Sequence, residues 1–467
     1  MEVHQPSRAH GAFLFLAIFA LYLAAPAAQI RDARYITAVS HAFLHTGSLA
    51  ITDEFESGQS SYQLVRTGDQ RRYFFSEAPA VLNAPFVLLF EWAGVSPINE
   101  ENKLNRRGEG RILKWIAALL ASATCWILFR LGAVYLSTGP VLGLVLVYAA
   151  GTSMFSTVSR PYWSHSWTVL LIAVSLLFVV PAGRAVRASW VAAAASCSMW
   201  AFFCRPAVAP MVLAIGVLVA LGSWRTSWRP IAAYGGTCIG WLMLLTIYSR
   251  SAFDAWLPPY FLSAHVESGR WLGGSMLDNY FEAALGSMVS PGRGLLIYMP
   301  IVLVTLMLAA VYWKSLPSRA VAVVSLAVVF VHWQVIASFR NWWGGESYGP
   351  RLFSDAIPWL FLLSALALAA TLSAWRERPP RFVRASSFAM AVVIAFSIFV
   401  HARGAMDHNT IYWGRDVSRI RHLSRRQRQR LFIEQRLWNW RYPQFVSGLV
   451  NEPRIVIPEH WRKKGQQ

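Results

Sequence analysis

The stretch "GAFLFLAIFALYLAAPAAQIRDARYITAVSHAFLHTG", residues 11–47, contains the two signals that decide the fold. Its first part, 11–28, is an apolar run long enough to cross the ~30 Å hydrocarbon core of a bilayer. Asp32 follows directly, between Arg31 and Arg34, and the remainder predicts an amphipathic helix that ends at a glycine cap. The pattern predicts a membrane anchor with a carboxylate at the membrane surface. "AAPAAQ" would also suit the cleavage site of a signal peptide, but we favour a retained anchor.

The composition of the chain extends this interpretation to most of its length. Of 467 residues, 55% are hydrophobic and only 14% are charged, whereas a soluble domain carries about 25% charged residues. Such a deficit indicates a polytopic membrane protein. The cysteines all lie within apolar runs and lack metal-ligand spacing, which is typical of small buried side chains.

Apolar runs recur along the chain and predict the number of spans. We predict eleven transmembrane helices, at 11–28, 111–132, 138–156, 165–183, 189–205, 207–224, 231–249, 294–313, 319–338, 352–374 and 384–402. A further apolar stretch, 78–95, is short and interrupted by prolines, so we expect it to lie as a helix at the membrane interface. The predicted fold class is therefore an all-α polytopic membrane protein with interfacial helices on its outer face.

The positions of arginine and lysine determine the predicted orientation. An N-terminus on the inside places the short basic turns inside, as the positive-inside rule requires. We divide the chain into a membrane module, 1–403, and a basic extramembrane tail, 404–467, which lies outside in this topology. The tail departs from the rule, which long exported segments obey less strictly. It would contact anionic lipid headgroups or glycans rather than nucleic acid. The outer loops are 29–110, 157–164, 250–293 and 339–351.

These four outer loops contain most of the candidate functional residues. Each contributes arginine, and converging guanidinium groups bind phosphate well through paired charged hydrogen bonds. A phosphate site at the mouth of an apolar bundle indicates a lipid phosphate. The alternative for any single arginine is an anchor at the membrane boundary. The arginines concerned are Arg34, Arg160, Arg293, Arg340 and Arg351.

Other residues of the same loops are candidates for substrate contact. Trp342 and Trp343 could form a platform for a sugar ring or belong to the interfacial aromatic belt. His41 and His45 share one face of a helix and could bind a metal, but the sequence offers no third ligand, and solvated side chains are the alternative. The remaining candidates are Tyr35, Glu77, Tyr162, His165, Glu346 and Tyr348.

Several segments of the chain occur together in a known superfamily. They are the anchor followed by an Asp and, three residues later, a Tyr, the helix that ends in "TGSLAI", and the segments "SPGRGLLIYMP" (290–300), "WWGGESYGPRLFSDAIP" (342–358) and "RLWNWRYPQF" (436–445). By these segments the whole chain resembles the GT-C superfamily of membrane glycosyltransferases. Within it, the chain is similar to the bacterial glycosyltransferase 39-like group, which includes the aminoarabinose transferase of lipid A and the protein O-mannosyltransferases.

The resemblance implies that Asp32 is the catalytic base, since the family has its candidate base in the first outer loop. Two positions depart from the family pattern: the chain reads Asp-Ala at 32–33 instead of Asp-Glu, and Ser-Glu-Ala-Pro at 76–79 instead of a Lys-Pro-Pro segment. The lysine that would meet the donor phosphate is therefore missing. We assign that role to arginines, and we name no cofactor but leave a divalent metal ion open. The arginines assigned to donor phosphate are Arg160, Arg293, Arg340 and Arg351.

The resemblance and the residues together predict an integral-membrane glycosyltransferase. It would be a hexosyl- or pentosyltransferase that moves a sugar from a polyprenyl-phosphate donor to a hydroxyl of a glycan, lipid or protein acceptor, with inversion at the sugar carbon. We expect it in the bacterial cytoplasmic membrane, with the active site on the periplasmic face. The rival function is a transporter or flippase, which would need charges deep within spans; only Arg205 and His332 approach this. A catalytically inactive scaffold is the third alternative. For Asp32 itself, the alternative is an interfacial residue that pairs with Arg31 or Arg34.

Overall fold

The chain is described by a computed structural model over residues 8–28, 32–51, 62–67, 70–160, 164–182, 187–261, 279–339 and 341–461. Its α-helices are α1 Arg8–Ala24, α2 Ile36–Thr46, α3 Ala78–Trp92, α4 Arg106–Gly132, α5 Thr138–Gly151, α6 Ser164–Val179, α7 Ala188–Cys204, α8 Ala209–Ser223, α9 Arg229–Phe253, α10 Tyr280–Val289, α11 Leu295–Tyr298, α12 Ile301–Val311, α13 Arg319–Ala337, α14 Ile357–Trp375, α15 Pro380–Met406, α16 Asn409–Tyr412, α17 Arg415–Ser418 and α18 Arg425–Phe432.

Short irregular helices and three strands complete the secondary structure of the described residues. The π-helical turns are Met154–Val158 and Ile433–Leu437. The 3-10 helices are Val180–Ala182, Pro206–Val208, Trp313–Ser315, Arg351–Ala356, Gln444–Val446 and Glu459–Trp461. The strands are β1 Ala50–Ile51, β2 Leu64–Thr67 and β3 Gln70–Tyr73, which form one small antiparallel sheet in the order β1-β3-β2. The predicted helical fold class is thus confirmed, with this sheet as a small addition.

Each of the eleven predicted spans contains a helix, but the helices differ in length. Among the described residues, six are long and apolar enough to cross a membrane: Arg106–Gly132, Pro206–Ser223, Arg229–Phe253, Arg319–Ala337, Arg351–Trp375 and Pro380–Met406. The other five predicted spans correspond to shorter apolar helices, Ala9–Ala24, Thr138–Gly151, Ser164–Val179, Ala188–Cys204 and Ile301–Val311. The number of helices that cross the membrane therefore stays a prediction.

Two of the predicted spans with shorter helices are interrupted by a change in the backbone. The predicted span 138–156 changes from α5 to the π-helical turn Met154–Val158, and π-turns inside helices are frequent at functional sites. Pro300 separates α11 from α12, because proline has no amide hydrogen to donate within a helix. The apolar runs are continuous in the sequence, so composition alone did not reveal these interruptions.

Two long helices at the edge of the bundle expose their apolar side chains. Only 6% of the apolar window in α9 and 11% of that in α15 are buried by the rest of the protein. Met243 and Ile247 in α9 and Phe388 in α15 are among the large hydrophobic side chains left exposed. A helix that is apolar on its exposed face requires lipid around it. The protein is therefore an integral membrane protein.

The predicted first outer loop, 29–110, packs against the bundle through α2, the sheet and α3 within its described residues. As the sequence predicts, α2 ends at Gly47, which has a left-handed φ of 69° and donates its amide to the Phe43 carbonyl. The Ser40 hydroxyl donates to the Ala80 carbonyl at 2.9 Å and joins α2 to α3. The position of these two helices at a membrane interface stays a prediction, as do the domain boundaries at 403 and 404.

Candidate active site

Asp32 begins a tight turn that leads into α2. The Ile36 amide donates to the Ala33 carbonyl at 3.2 Å, and Tyr35 has a φ of 73°, which is uncommon for a residue with a side chain. The Tyr35 amide donates to a carboxylate oxygen of Glu109 at 2.7 Å. Because Glu109 is buried in the first turn of α4, it holds the turn and with it the backbone of Asp32.

The Asp32 carboxylate is oriented by side chains from distant parts of the chain. Arg351 Nη1 donates to Oδ2 at 3.0 Å, and the Tyr62 hydroxyl donates to Oδ1 at 2.8 Å. The Tyr73 hydroxyl donates to the Asp32 backbone carbonyl. The Asp32 side chain remains 29% exposed, against 13% for Arg351. The carboxylate is therefore both positioned and accessible, as a general base must be.

Asp32 and Arg351 form part of the wall of a polar cavity of about 70 Å³. A cavity needs ~10–15 Å³ to admit one water, so this one has room for several waters or for a polar group of similar size. Its wall joins the first outer loop to the beginning of α6, the end of α7 and the beginning of the Arg351–Ala356 helix. The polar side chains of the wall are Asp32, Tyr73, Ser76, Ser164, Arg205, Tyr260 and Arg351.

A buried ion network behind the wall holds Arg205. Its Nε donates to Asp355 Oδ2 at 2.9 Å and its Nη1 donates to Ser164 Oγ at 3.2 Å. The other Asp355 oxygen bonds to His165 Nδ1 at 2.7 Å. The side chains of Asp355 and His165 are 0% exposed, whereas Arg205 keeps 12%. His165 and Asp355 thus fix the guanidinium of Arg205 at the cavity wall.

A larger, apolar cavity of about 190 Å³ adjoins the polar one. The two cavities share Tyr73, Phe75, Ser76 and Tyr260 in their walls. Most of the remaining wall consists of apolar side chains from α3, α7 and α9 and of the prolines at 258–259. Tyr260 lies between the two cavities, and burial raises the pKa of its hydroxyl. This arrangement suits a ligand with a polar head and an apolar tail.

Glu77, one of the predicted contact residues, lies in the wall of the apolar cavity. It accepts a hydrogen bond from the Tyr248 hydroxyl, and Arg72 Nη1 lies 3.5 Å from its other carboxylate oxygen. Its side chain is 6% exposed. Burial raises the pKa of Glu77 to about 7, although Tyr248 and Arg72 lower it. Glu77 therefore changes its protonation state near neutral pH.

Two of the arginines assigned to phosphate, Arg160 and Arg293, lie outside the polar cavity, among backbone carbonyls. Arg160 Nη1 donates to the Ala25 carbonyl at 2.6 Å, and its Nη2 donates to the Tyr22 carbonyl. Arg293 Nε donates to the Trp343 carbonyl at 3.1 Å, and Nη1 donates to Gly292 at 3.0 Å and to the Gln444 side chain. Both side chains are almost fully buried. Burial lowers the pKa of each guanidinium to about 10.

The other predicted contact residues that the structure describes are not part of the wall of the polar cavity. Trp342 and Trp343 are buried in a cluster that contains Trp413 and Leu437 of the C-terminal part. The Tyr348 hydroxyl is fully buried and donates to the Val400 carbonyl at 2.5 Å. Three further candidates are Arg34, which is half-buried in the turn after Asp32, Tyr35, which holds that turn, and Glu346, which is exposed. Arg340 and Tyr162 lie outside the described residues.

Three charged residues that line or support the polar cavity are not among the predicted site residues: Arg205 lies in its wall, and Asp355 and Glu109 hold Arg205 and the Asp32 turn from behind. Arg205 is identified from the sequence only as a charge near a predicted span, and no role is assigned there to Asp355 or Glu109. A charged residue at the end of an apolar run was the available signal for Arg205. Asp355 lies 150 residues from Arg205 along the chain, so no local pattern connects them.

Metal-ligating side chains group elsewhere in the described part of the chain. One group of three was found there, His41, His45 and Glu91, and none of its members lines the polar cavity.

Comparisons with known proteins find solved structures of similar fold. No protein-family model matches the chain, and no curated protein matches it significantly. Among solved structures, it is similar to the oligosaccharyltransferase of Archaeoglobus fulgidus tethered with an acceptor peptide containing the NVT sequon, with a TM-score of 0.51 and 11% identity over 94% of this chain and 60% of that chain.

Two further structures of the Archaeoglobus fulgidus enzyme give lower scores. The apo form has a TM-score of 0.46 and 11% identity over 94% of this chain and 61% of that chain. AglB in complex with an inhibitory peptide and a dolichol-phosphate has a TM-score of 0.47 and 10% identity over 93% and 60%. The chain thus spans about 60% of the length of these structures.

The class of protein follows from the fold and the membrane helices. The chain is an integral membrane protein with the fold of the GT-C glycosyltransferases, as the resemblance implied. At 11% identity the similarity concerns the fold alone, and the subgroup stays a prediction.

Proposed function

We propose that this protein is a membrane glycosyltransferase that moves a sugar from a polyprenyl-phosphate donor to an acceptor hydroxyl. The observation that carries the proposal is the contact of 3.0 Å between Asp32 Oδ2 and Arg351 Nη1 in the wall of a polar cavity. A carboxylate and a guanidinium are the two groups that the reaction needs, one for the acceptor proton and one for the leaving phosphate. The GT-C fold is consistent with this chemistry.

The two adjoining cavities match the two parts of such a donor. The polyprenyl chain occupies the apolar cavity, where it is removed from water, and its phosphate lies in the polar cavity near Arg205 and Arg351. Each guanidinium can donate two parallel hydrogen bonds to phosphate oxygens. The sequence analysis also assigned this role to Arg160 and Arg293, but their nitrogens already donate to carbonyls. We therefore assign the phosphate to Arg205 and Arg351.

The proposed reaction is a direct displacement at the anomeric carbon. Asp32 accepts the proton of the acceptor hydroxyl while the oxygen forms a bond to the sugar carbon. The bond from that carbon to the phosphate oxygen breaks, and the electron pair stays on the polyprenyl phosphate. Arg351 and Arg205 stabilise the negative charge that develops there. A single displacement inverts the configuration of the sugar carbon.

The identity of the acceptor and the membrane face are part of the proposal. The acceptor is a glycan, lipid or protein, and the solved enzyme of similar fold was tethered with an acceptor peptide. We place the site on the outer face of the bacterial cytoplasmic membrane, because the predicted outer loops supply the cavity wall. A reporter enzyme that is active only in the periplasm should be active when fused after the last residue. Activity confined to the cytoplasm would contradict this orientation.

The proposed function is tested with the purified full-length chain in detergent or lipid. A polyprenyl-phosphate donor with a radiolabelled sugar is supplied together with an extract of envelope glycans, lipids and proteins. We expect free polyprenyl phosphate to accumulate as label moves to one acceptor class. Movement of intact donor across vesicle membranes without its cleavage would instead identify a flippase.

A further inference from the structure

The structure supplies a third partner to a histidine pair that the sequence left without one. His41 and His45 lie one turn apart on α2, and Glu91 lies near the end of α3. His41 Nδ1 is 2.6 Å from Glu91 Oε1, and His45 Nε2 is 3.0 Å from Glu91 Oε2. The two imidazole rings have centroids 4.3 Å apart. One atom from each side chain lies within 4.8 Å of the other two.

We propose that His41, His45 and Glu91 form a binding site for a divalent transition metal of the zinc type. Two imidazole nitrogens and a carboxylate are ligands that Zn²⁺ takes at about 2.0–2.2 Å. A metal between them would replace the two direct contacts of the histidines with Glu91. The Glu91 side chain is only 12% exposed, and a carboxylate that is largely removed from water is stabilised by a positively charged partner. The sequence spacing of four residues and the tertiary position of Glu91 are independent observations that meet at one point.

The exposure of the three side chains defines the kind of site. The side chain of His45 is 51% exposed and that of His41 is 25% exposed. Three protein ligands at the protein surface leave a fourth position that water can fill, and a metal can reach it from solvent. A harder ion such as Mg²⁺ would prefer oxygen ligands, so imidazole selects a metal of the zinc type.

The position of the site indicates a structural role. It connects α2 with α3, and both helices contribute to the wall of the polar cavity, through Ile36 at the start of α2 and Pro79 at the start of α3. A metal bound by both helices would fix their separation. The site contains none of the polar side chains of the cavity wall, so the inference does not depend on the proposed transferase activity.

The inference is tested on full-length protein that carries no polyhistidine tag. After treatment with a chelator, Zn²⁺ is added and its binding is followed by calorimetry and by metal analysis of the washed protein. We expect one Zn²⁺ per chain. His41→Ala, His45→Ala and Glu91→Gln should each weaken Zn²⁺ binding by at least about 10- to 100-fold. Removing a residue that only hydrogen-bonds to a metal ligand already lowers metal affinity by about that factor, and removing a ligand itself lowers it further. His460→Ala, which removes an exposed histidine elsewhere, should bind as the wild type does.

A second measurement needs only the wild-type protein and so does not depend on the folding of variants. Diethyl pyrocarbonate modifies accessible histidines, and the modified residues are identified by mass spectrometry. Zn²⁺ should protect His41 and His45 and leave the exposed His408 and His460 reactive. Equal modification with and without Zn²⁺, or unchanged Zn²⁺ affinity in all three variants, would overturn the site. Loss of sugar transfer with intact Zn²⁺ binding would instead concern the proposed function alone.

Discussion

Two pairs of arginines in this protein have the same side chain and different surroundings. Arg160 and Arg293 are almost fully buried, and their nitrogens donate to backbone carbonyls of neighbouring segments. Arg205 and Arg351 bond to the carboxylates of Asp355 and Asp32, and each keeps more than a tenth of its side chain exposed. The first pair joins segments of the backbone, and the second pair lines a cavity.

The difference predicts which arginines bind a ligand. A backbone carbonyl cannot leave its place without disturbing the fold, so a guanidinium bound to several carbonyls has few donors for a substrate. A guanidinium at a cavity wall can add an anionic ligand to its carboxylate partner. The position of an arginine near a predicted membrane boundary therefore does not show whether it binds a ligand. The groups that accept its hydrogen bonds decide that role.

The largest expected effect comes from Asp32, the carboxylate at the centre of the second pair. Asp32→Asn keeps the shape and most hydrogen bonds but cannot accept a proton, so transfer should fall about 10²–10⁴-fold while donor binding remains. Both quantities are measured on one folded preparation. Asp254→Asn, at a carboxylate that is 90% exposed, is the matched control and should transfer normally. Near-normal transfer by Asp32→Asn would show that Asp32 only balances Arg351.

The second prediction compares the two arginine pairs directly. Arg351→Lys keeps the charge but loses the paired donors, and donor binding should weaken roughly 10- to 100-fold, since a hydrogen bond to a charged group contributes about 1.5–3 kcal/mol. Arg293→Lys should bind donor normally and lower the melting temperature, because its carbonyl partners lose donors. The measurement is donor titration and thermal unfolding of both variants. Equal losses of donor affinity would remove the distinction between the pairs.

The third prediction concerns Glu77, which lies in the wall of the apolar cavity. The carboxyl has a pKa raised from 4.5 to about 7 by burial, so the folded protein retains a proton that the unfolded chain releases above pH 4.5. The free energy of unfolding should therefore fall as pH rises, by about 1–2 kcal/mol between pH 5.5 and 7. Thermal unfolding of the wild type and Glu77→Gln across this range measures it. A pH dependence that persists unchanged in Glu77→Gln would assign it to another group.

The smallest expected effect is at Glu346, a predicted contact that the structure leaves exposed. Glu346→Gln should change the rate of transfer by less than roughly twofold, because the side chain is exposed and is not part of the wall of the polar cavity. Kinetic measurement of sugar transfer under donor saturation checks this. A tenfold loss would mean that the segment 341–349 reaches the substrate, and the cavity at Asp32 would then be only part of the site.

Several features of the site could be predicted from local sequence. Asp32 stands out because a charge directly follows an apolar run, although its role as the base is implied by the family resemblance. The cap of α2 at Gly47 was predicted because glycine adopts the left-handed conformation readily. Arg351 was selected among five arginines without a criterion that separated it from Arg293. That criterion is the partner, and the partner of Arg351 lies 319 residues away.

The sequence by itself determined that this is a helical membrane protein, where its apolar segments lie, and that a carboxylate follows the first of them. These properties depend on hydrophobic length and on residues that are close in the chain. Only the tertiary structure decided that Asp32 meets Arg351, that Asp355 holds Arg205, and that Glu91 completes the pair His41 and His45. The physical reason is that helix packing brings together side chains whose sequence separation carries no periodic signal, and charged groups acquire their roles from these neighbours.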